Sequence, residues 1–410
     1  MDSIITRIIK DSSLTVDEKV EKVVTSLNAL PDKGVDASVQ LILHANDLAS
    51  ATYPANYLAL LPNVRSKKRQ AIEHILDHKE NILVAATNLI KGMPDDIIDH
   101  IIAMYLTDRS MPGIRDLIFE VAQYFPEKLH KHKAEINEEY IQEAVLSGGP
   151  DQWVNDIVDR YRKSSDHFYL TQLACFRTNK AIDALLTLLP DVPEEEQEDV
   201  ASYIESSGVF PDTRLASIYF KQYRGYVVTR EESPHFMGGD FPYPVPKCPF
   251  TDIPANRILT LDPAHLDLNL DSPYNPTFFW YEGQHPPDYV YVQFTENGIK
   301  GLMTPMTEGQ TGTDLIPGEL ALKLEKVPYK PGRSGPIYPG FSNHQVGGYP
   351  SLIRFECFPR CPLCSKGMNF LVSIDSGMTP FGKLLFNGIL YGFWCDTCFV
   401  SCTHRQTGED

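Results

Sequence analysis

Four cysteines, Cys361, Cys364, Cys395 and Cys398, stand in two Cys-x-x-Cys pairs, CPLC and CDTC. Each pair offers two thiolates from one tight turn, and two such turns brought together supply the four ligands of a tetrahedral Zn²⁺. Four protein thiolates leave no position for a reactive water, so the role this chemistry implies is structural. Cys357, Cys402 and His404 lie near enough in sequence to replace one ligand. The competing readings are four reduced thiols in a core, or two disulfides. Disulfides fit poorly with the N-terminus MDSIITRIIKDSS, where charges interrupt a short apolar pattern and no small-residue cleavage motif follows.

The elements that must position these thiolates are strands. Met368 to Asp375 leaves the first knuckle as MNFLVSID, and Gly388 to Cys395 enters the second as GILYGFWC, which is the order of a zinc ribbon. Thirty residues separate Cys364 from Cys395, more than such sites usually hold, so the stretch Ser376 to Asn387 is expected as a loop outside the hairpin.

A second stretch repeats the first. Cys248 to Asp262 aligns without a gap on Cys361 to Asp375: Cys, Pro, Asn and the final Asp coincide, and Ile-Leu-Thr-Leu matches Leu-Val-Ser-Ile in character. Upstream, His235-Phe-Met-Gly-Gly corresponds to His344-Gln-Val-Gly-Gly. Such repetition implies two similar β-units about a pseudo-twofold axis, each covering the other's sheet face. Thr251 stands where the second copy has Cys364, so only the second copy can hold metal; the run Phe278 to Tyr281 is a candidate for the apolar packing that replaces it. Gly238-Gly239 and Gly347-Gly348 mark positive φ or close backbone approach. His235 and His344 are read as structural hydrogen-bond partners, and Asp262 and Asp375 as turn caps. General acid–base work by these pairs requires a cleft.

Around these motifs the 410-residue chain changes character near Glu231, after which 21 of its 31 prolines and 19 of its 26 glycines fall. The sequence predicts an α+β multidomain protein. Residues 1–230 form an α-helical, solenoid-like array of about nine to eleven short helices. Residues 231–410 form a duplicated antiparallel β domain, with repeats at about 234–330 and 343–410. Expected strands are Arg257 to Leu261, Thr277 to Tyr281, Tyr289 to Phe294, Leu320 to Val327, Leu352 to Phe355, Phe370 to Ile374 and Ile389 to Trp394. Thr15-Val-Asp-Glu18 is a capping box, and Ile97, Ile98, Ile101, Ile102 and Tyr105 make one apolar helical face. No phosphate loop, dinucleotide fingerprint or nucleophile elbow occurs, so no catalytic or cofactor-binding residue is assigned. A net charge of −17 disfavours nucleic acid and anionic lipid and favours a basic protein partner. No apolar run approaches a membrane span, and a cytoplasmic protein is expected.

With Gly347, Gly348, Pro350, Cys361, Cys364, Phe370 to Asp375 and Trp394 to Cys398 in place, residues 234 to 404 resemble the YwqG-like family of bacterial domains. The chain departs from the family pattern at Thr251 and at Ser373, where a glutamine is common. The family is associated with toxin–immunity loci, so the resemblance implies an antitoxin that occludes a basic toxin domain, and brings no catalytic residues with it. Similar motifs occur in programmed cell death protein 2-like factors, which shelter a basic ribosomal protein, so a chaperone or assembly factor is the alternative. A hydrolase of unknown substrate is a third reading.

Overall fold

The computed structural model describes residues 2–30, 33–78, 80–212, 219, 221–270, 272–282, 288–307, 315–327 and 344–408. It is an α+β protein in which a helical region precedes an antiparallel, curled sheet. Two compact units divide the chain.

The described part of the first unit lies within Met1–Pro150 and Met378–Gly382. It holds α1 (Asp2–Lys10), α2 (Val16–Asn28), α3 (Gly34–Leu43), α4 (Leu48–Ala59), α5 (Arg65–His78), a 3₁₀ stretch (Glu80–Leu89), α6 (Asp95–Thr107), α7 (Ile114–Tyr124), α8 (Pro126–Leu129) and α9 (Glu139–Val145). The capping box forms: the Glu18 amide donates to Thr15 Oγ1 at 3.2 Å and the Thr15 amide to Glu18 Oε2 at 2.7 Å, so two orphan donors of α2 are satisfied. Val23, Val24 and Leu27 then face Ile5 and Ile9 of α1 and Tyr53 and Tyr57 of α4 in one buried cluster. The expected face of α6, from Ile97 to Tyr105, is buried.

The second unit begins at Asp151 and carries α10 (Asp151–Ser164), α11 (Phe168–Phe176), α12 (Asn179–Leu188) and α13 (Gln197–Ser206) before the sheet. The strands are β1 (Gln222–Thr229), β2 (Phe236–Gly238), β3 (Asn256–Thr260), β4 (Thr277–Trp280), β5 (Tyr289–Thr295), β6 (Gly298–Leu302), β7 (Glu319–Lys326), β8 (Gln345–Gly347), β9 (Asn369–Thr379), β10 (Gly382–Cys395) and β11 (Val400–Gln406). They form one sheet in the order β4-β3-β2-β7-β1-β8-β9-β10-β11-β5-β6. The sheet curls until β4 approaches β11: the Arg405 guanidinium lies 5.8 Å from the Trp280 ring centroid and its Nη1 is 2.6 Å from Glu282 Oε1.

The centre of the sheet is close to twofold symmetric. β1 and β7 pair antiparallel with Tyr226 opposite Lys323, and each strand then pairs with the short strand of the other half, β1 with β8 and β7 with β2. The His344 carbonyl accepts from Gly225 N at 2.9 Å, and the His235 carbonyl from Leu322 N at 2.7 Å. Phe236 opposes Thr260 as Gln345 opposes Ser373. Both glycine pairs have positive φ, and both are crowded alike: a Cβ on Gly238 would lie 2.3 Å from the Gly318 carbonyl oxygen, and one on Gly347 2.2 Å from that of Lys221. Residues 328–330, the end of the first expected repeat, lie outside the described residues.

Four readings of the sequence are corrected. Helical periodicity does not run to Arg230, because Gln222–Thr229 is a central strand with its valines and tyrosines buried. The change from helix to strand and the unit boundary fall at different places, since α10 to α13 belong with the sheet. The loop expected from Ser376 to Asn387 is mostly strand: β9 and β10 extend to a tight turn at Pro380-Phe381, and Leu384 and Phe386 are buried while Lys383, Leu385 and Asn387 are exposed, the period of a strand. Leu352 to Phe355 forms no strand; its Ile353 amide donates to Gln406 Oε1 at 2.9 Å, so a side chain takes the place of a ladder.

Candidate metal centre

The two Cys-x-x-Cys turns meet. The Sγ atoms of Cys361, Cys364, Cys395 and Cys398 all lie within 4.8 Å of one another, with Cys364 and Cys395 3.7 Å apart. All eight cysteines are free thiols, which sets aside the disulfide reading for these four. Among the described residues this is the one cluster of three or more His, Cys, Asp or Glu side chains suited to a metal ion.

Each turn is built the same way. Ser365 N donates to the Cys361 carbonyl at 2.8 Å and Phe399 N to the Cys395 carbonyl at 2.8 Å, and Ser365 and Phe399 both take the left-handed conformation, φ 60° and 52°. That conformation turns the chain back, so that both sulfurs of a pair face the same side. β9 leaves the first turn and β10 delivers the second, with Cys361 and Cys395 buried and Cys364 and Cys398 half-buried at the outer edge. Burial raises the Cys395 thiol well above its usual range, and burial together with the neighbouring Cys364 pushes Cys398 up to about 11. Burial also opposes ionisation of Cys364, but the Lys366 amide and the surrounding thiols outweigh it and hold this thiol below the ordinary value. A cation would be required to hold all four as thiolates.

None of the three candidate substitutes is among the four mutually close ligand atoms. His404 is occupied at both ring nitrogens, Nδ1 by the Asp288 carbonyl at 2.8 Å and Nε2 by Glu356 Oε2 at 2.7 Å. Cys357 Sγ lies 3.7 Å from the Glu198 carbonyl, and Cys402 is buried on β11 opposite Tyr291.

In the first copy the turn persists without the thiolates. Asp252 N donates to the Cys248 carbonyl at 3.0 Å and Asp252 has φ 56°, as at Ser365. Burial disfavours the Cys248 thiolate, yet hydrogen bonds from the Thr251 side chain and the Phe250 and Thr251 amides prevail and lower its pKa. Phe278, Phe279, Trp280 and Tyr281 are all buried beside this turn's strand, and Phe279 meets Phe241 edge-on at 5.1 Å.

The paired histidines make equivalent backbone bonds. His235 Nδ1 accepts from the Asp262 amide at 3.1 Å and His344 Nδ1 from the Asp375 amide at 3.2 Å, and both rings are buried. Burial lowers His235 to about 4, which keeps the ring neutral and Nδ1 free to accept. Asp262 caps the following turn through Ala264 N at 3.0 Å, whereas Asp375 does not end its strand but lies buried within β9.

Four residues around the centre escaped the sequence reading. Tyr219 Oη donates to Asp396 Oδ1, and Asn369 Nδ2 to Asp396 Oδ2 at 2.9 Å. Glu205 accepts from the Phe358 amide and from Arg360 Nη2 at 2.5 Å. Asp396 sits inside CDTC and Asn369 is the asparagine common to both repeats, so a signal for these two existed. Glu205 and Tyr219 are more than 150 residues from their partners and had none. Comparison of the chain with family models, curated proteins and solved structures finds no match.

Proposed function

We propose that this chain is a non-catalytic interaction protein, pinned by one structural Zn²⁺ on Cys361, Cys364, Cys395 and Cys398, and that it acts as an immunity protein occluding a basic bacterial toxin domain. Zinc fits the donor set: four thiolates at about 2.3 Å from a tetrahedral ion stand about 3.8 Å apart, against 3.7 Å between Cys364 and Cys395. When bound, the ion would stabilise the fold by holding the two turns together, with no position left for water.

The observation that carries the reading is how the residues best suited to chemistry are used. The four thiols face one another, and the two histidines each take a backbone amide within the sheet. What the chain offers a partner is an excess of 17 negative charges, which speeds capture of a cationic surface. The resemblance of residues 234 to 404 to the YwqG-like family supplies the immunity context. No described helix is long and apolar enough to cross a membrane.

The test is co-expression with basic toxin domains encoded beside the gene, followed by capture at low and high salt. Rescue of growth together with a complex that weakens as salt rises is the expected result. Failure to bind any such toxin sinks the immunity role, and recovery of a ribosomal protein in its place selects the assembly-factor reading.

A further inference from the structure

Both turns of the metal centre are held from outside by residues that precede the sheet. Glu205, in the last turn of α13, has no exposed surface; its carboxylate receives the Phe358 amide and the Arg360 guanidinium immediately before Cys361. Phe210 packs against Gly367, three residues after Cys364: a Cβ on that glycine would sit 2.3 Å from the Phe210 ring. Phe210 also shares one buried cluster with Cys361, Cys395 and Phe393. Tyr219 donates to Asp396, which follows Cys395 within the second turn, and Asn369 at the start of β9 donates to the other oxygen of the same carboxylate. The first turn is therefore fixed by Glu205 and Phe210, and the second by Tyr219.

We propose that Glu205, Phe210 and Tyr219 are positioning residues of the metal centre and that, through them, metal loading fastens helix α13 to the sheet. The inference rests on the zinc reading above. Its physical basis is reciprocity: groups that hold the thiolates in register strengthen metal binding, and the bound metal must strengthen the docking of those groups by the same factor. Outer partners that orient ligands typically account for about 10- to 100-fold in metal affinity. Glu205 has a further reason to follow the metal, since a buried carboxylate tolerates desolvation only while the Phe358 amide and Arg360 stay in place.

The experiment uses the full chain and Zn²⁺ alone, with Co²⁺ as a spectroscopic substitute. Zn²⁺ affinity is read by competition with a chromophoric chelator for the wild type, Tyr219→Phe, Glu205→Gln and, as a control, the half-exposed Tyr243→Phe. Amide exchange of wild-type α13 is followed with Zn²⁺ bound and after chelation, which needs no variant to fold. The expected results are a 10- to 100-fold loss of affinity for the first two variants, an unchanged tetrathiolate Co²⁺ spectrum, no loss for Tyr243→Phe, and faster exchange across Gln197–Ser206 once zinc is removed. A wild type that binds zinc through four thiolates, while both variants keep its affinity within twofold or α13 ignores chelation, overturns the latch and leaves the zinc reading intact. A wild type without the tetrathiolate Co²⁺ signature overturns both.

Discussion

Replacing Gly238 or Gly347 by alanine tests the twofold construction of the sheet directly. At either site an added Cβ meets a main-chain carbonyl oxygen, 2.3 Å away at Gly318 for the first and 2.2 Å away at Lys221 for the second. Both residues also have left-handed φ, +61° and +65°. Gly318 is the internal control: its φ is +82°, but nothing lies within 4 Å of the added carbon. Alanine in the left-handed region costs about 1–2 kcal/mol, offset by about 0.4–1 kcal/mol from the stiffer unfolded chain, so Gly318→Ala should cost about 0–1.6 kcal/mol. Gly238→Ala and Gly347→Ala must in addition move a backbone carbonyl by about 1 Å between paired strands, and overpacking of that kind adds about 1–3 kcal/mol. The assay is urea unfolding followed by tryptophan fluorescence. It reports the second unit alone, because Trp153, Trp280 and Trp394 all lie there. Losses of similar size at Gly238 and Gly347, each clearly above Gly318, are expected. A Gly238→Ala variant no less stable than Gly318→Ala would refute the close-approach argument, and a large disparity between Gly238 and Gly347 would refute the symmetry.

Two further predictions concern charge and metal. Burial disfavours the Glu356 carboxylate, but His404 and Arg354 outweigh it and hold its pKa at about 2, below the ordinary 4.5. A depressed carboxyl stabilises the fold above its unfolded pKa and loses that contribution as pH falls from about 4.5 through about 2. Glu356→Gln should therefore cost no more than about 3 kcal/mol at pH 7, with the gap from wild type closing by pH 2 in parallel urea titrations; a gap independent of pH would contradict this. Replacing Cys361 and Cys364 together by serine should abolish stoichiometric zinc and expose Trp394 beside the second turn, seen as a red-shifted emission. The helices α1 to α9, in the other unit, should keep their circular dichroism; its collapse along with the sheet would show one cooperative fold.

The parts of the molecule legible in its sequence are those set by local chemistry. Cys-x-x-Cys spacing dictates a turn that presents two sulfurs, Thr15 and Glu18 are close enough to cap a helix by themselves, and a glycine pair repeated after histidine marks a backbone only glycine can follow. The duplicated motif carried more, because two copies of one segment must satisfy the same hydrogen bonds, and His235 and His344 do so. Tertiary structure decided what depends on distant partners. Gln222–Thr229 became an interior strand because β7 and β8 flank it. The stretch after Ser376 became strand because alternate residues found a buried face. Glu205 and Tyr219 reached the metal centre across more than 150 residues, a separation at which no local pattern can report that a carboxylate and a phenol will meet the two turns of a cysteine cluster.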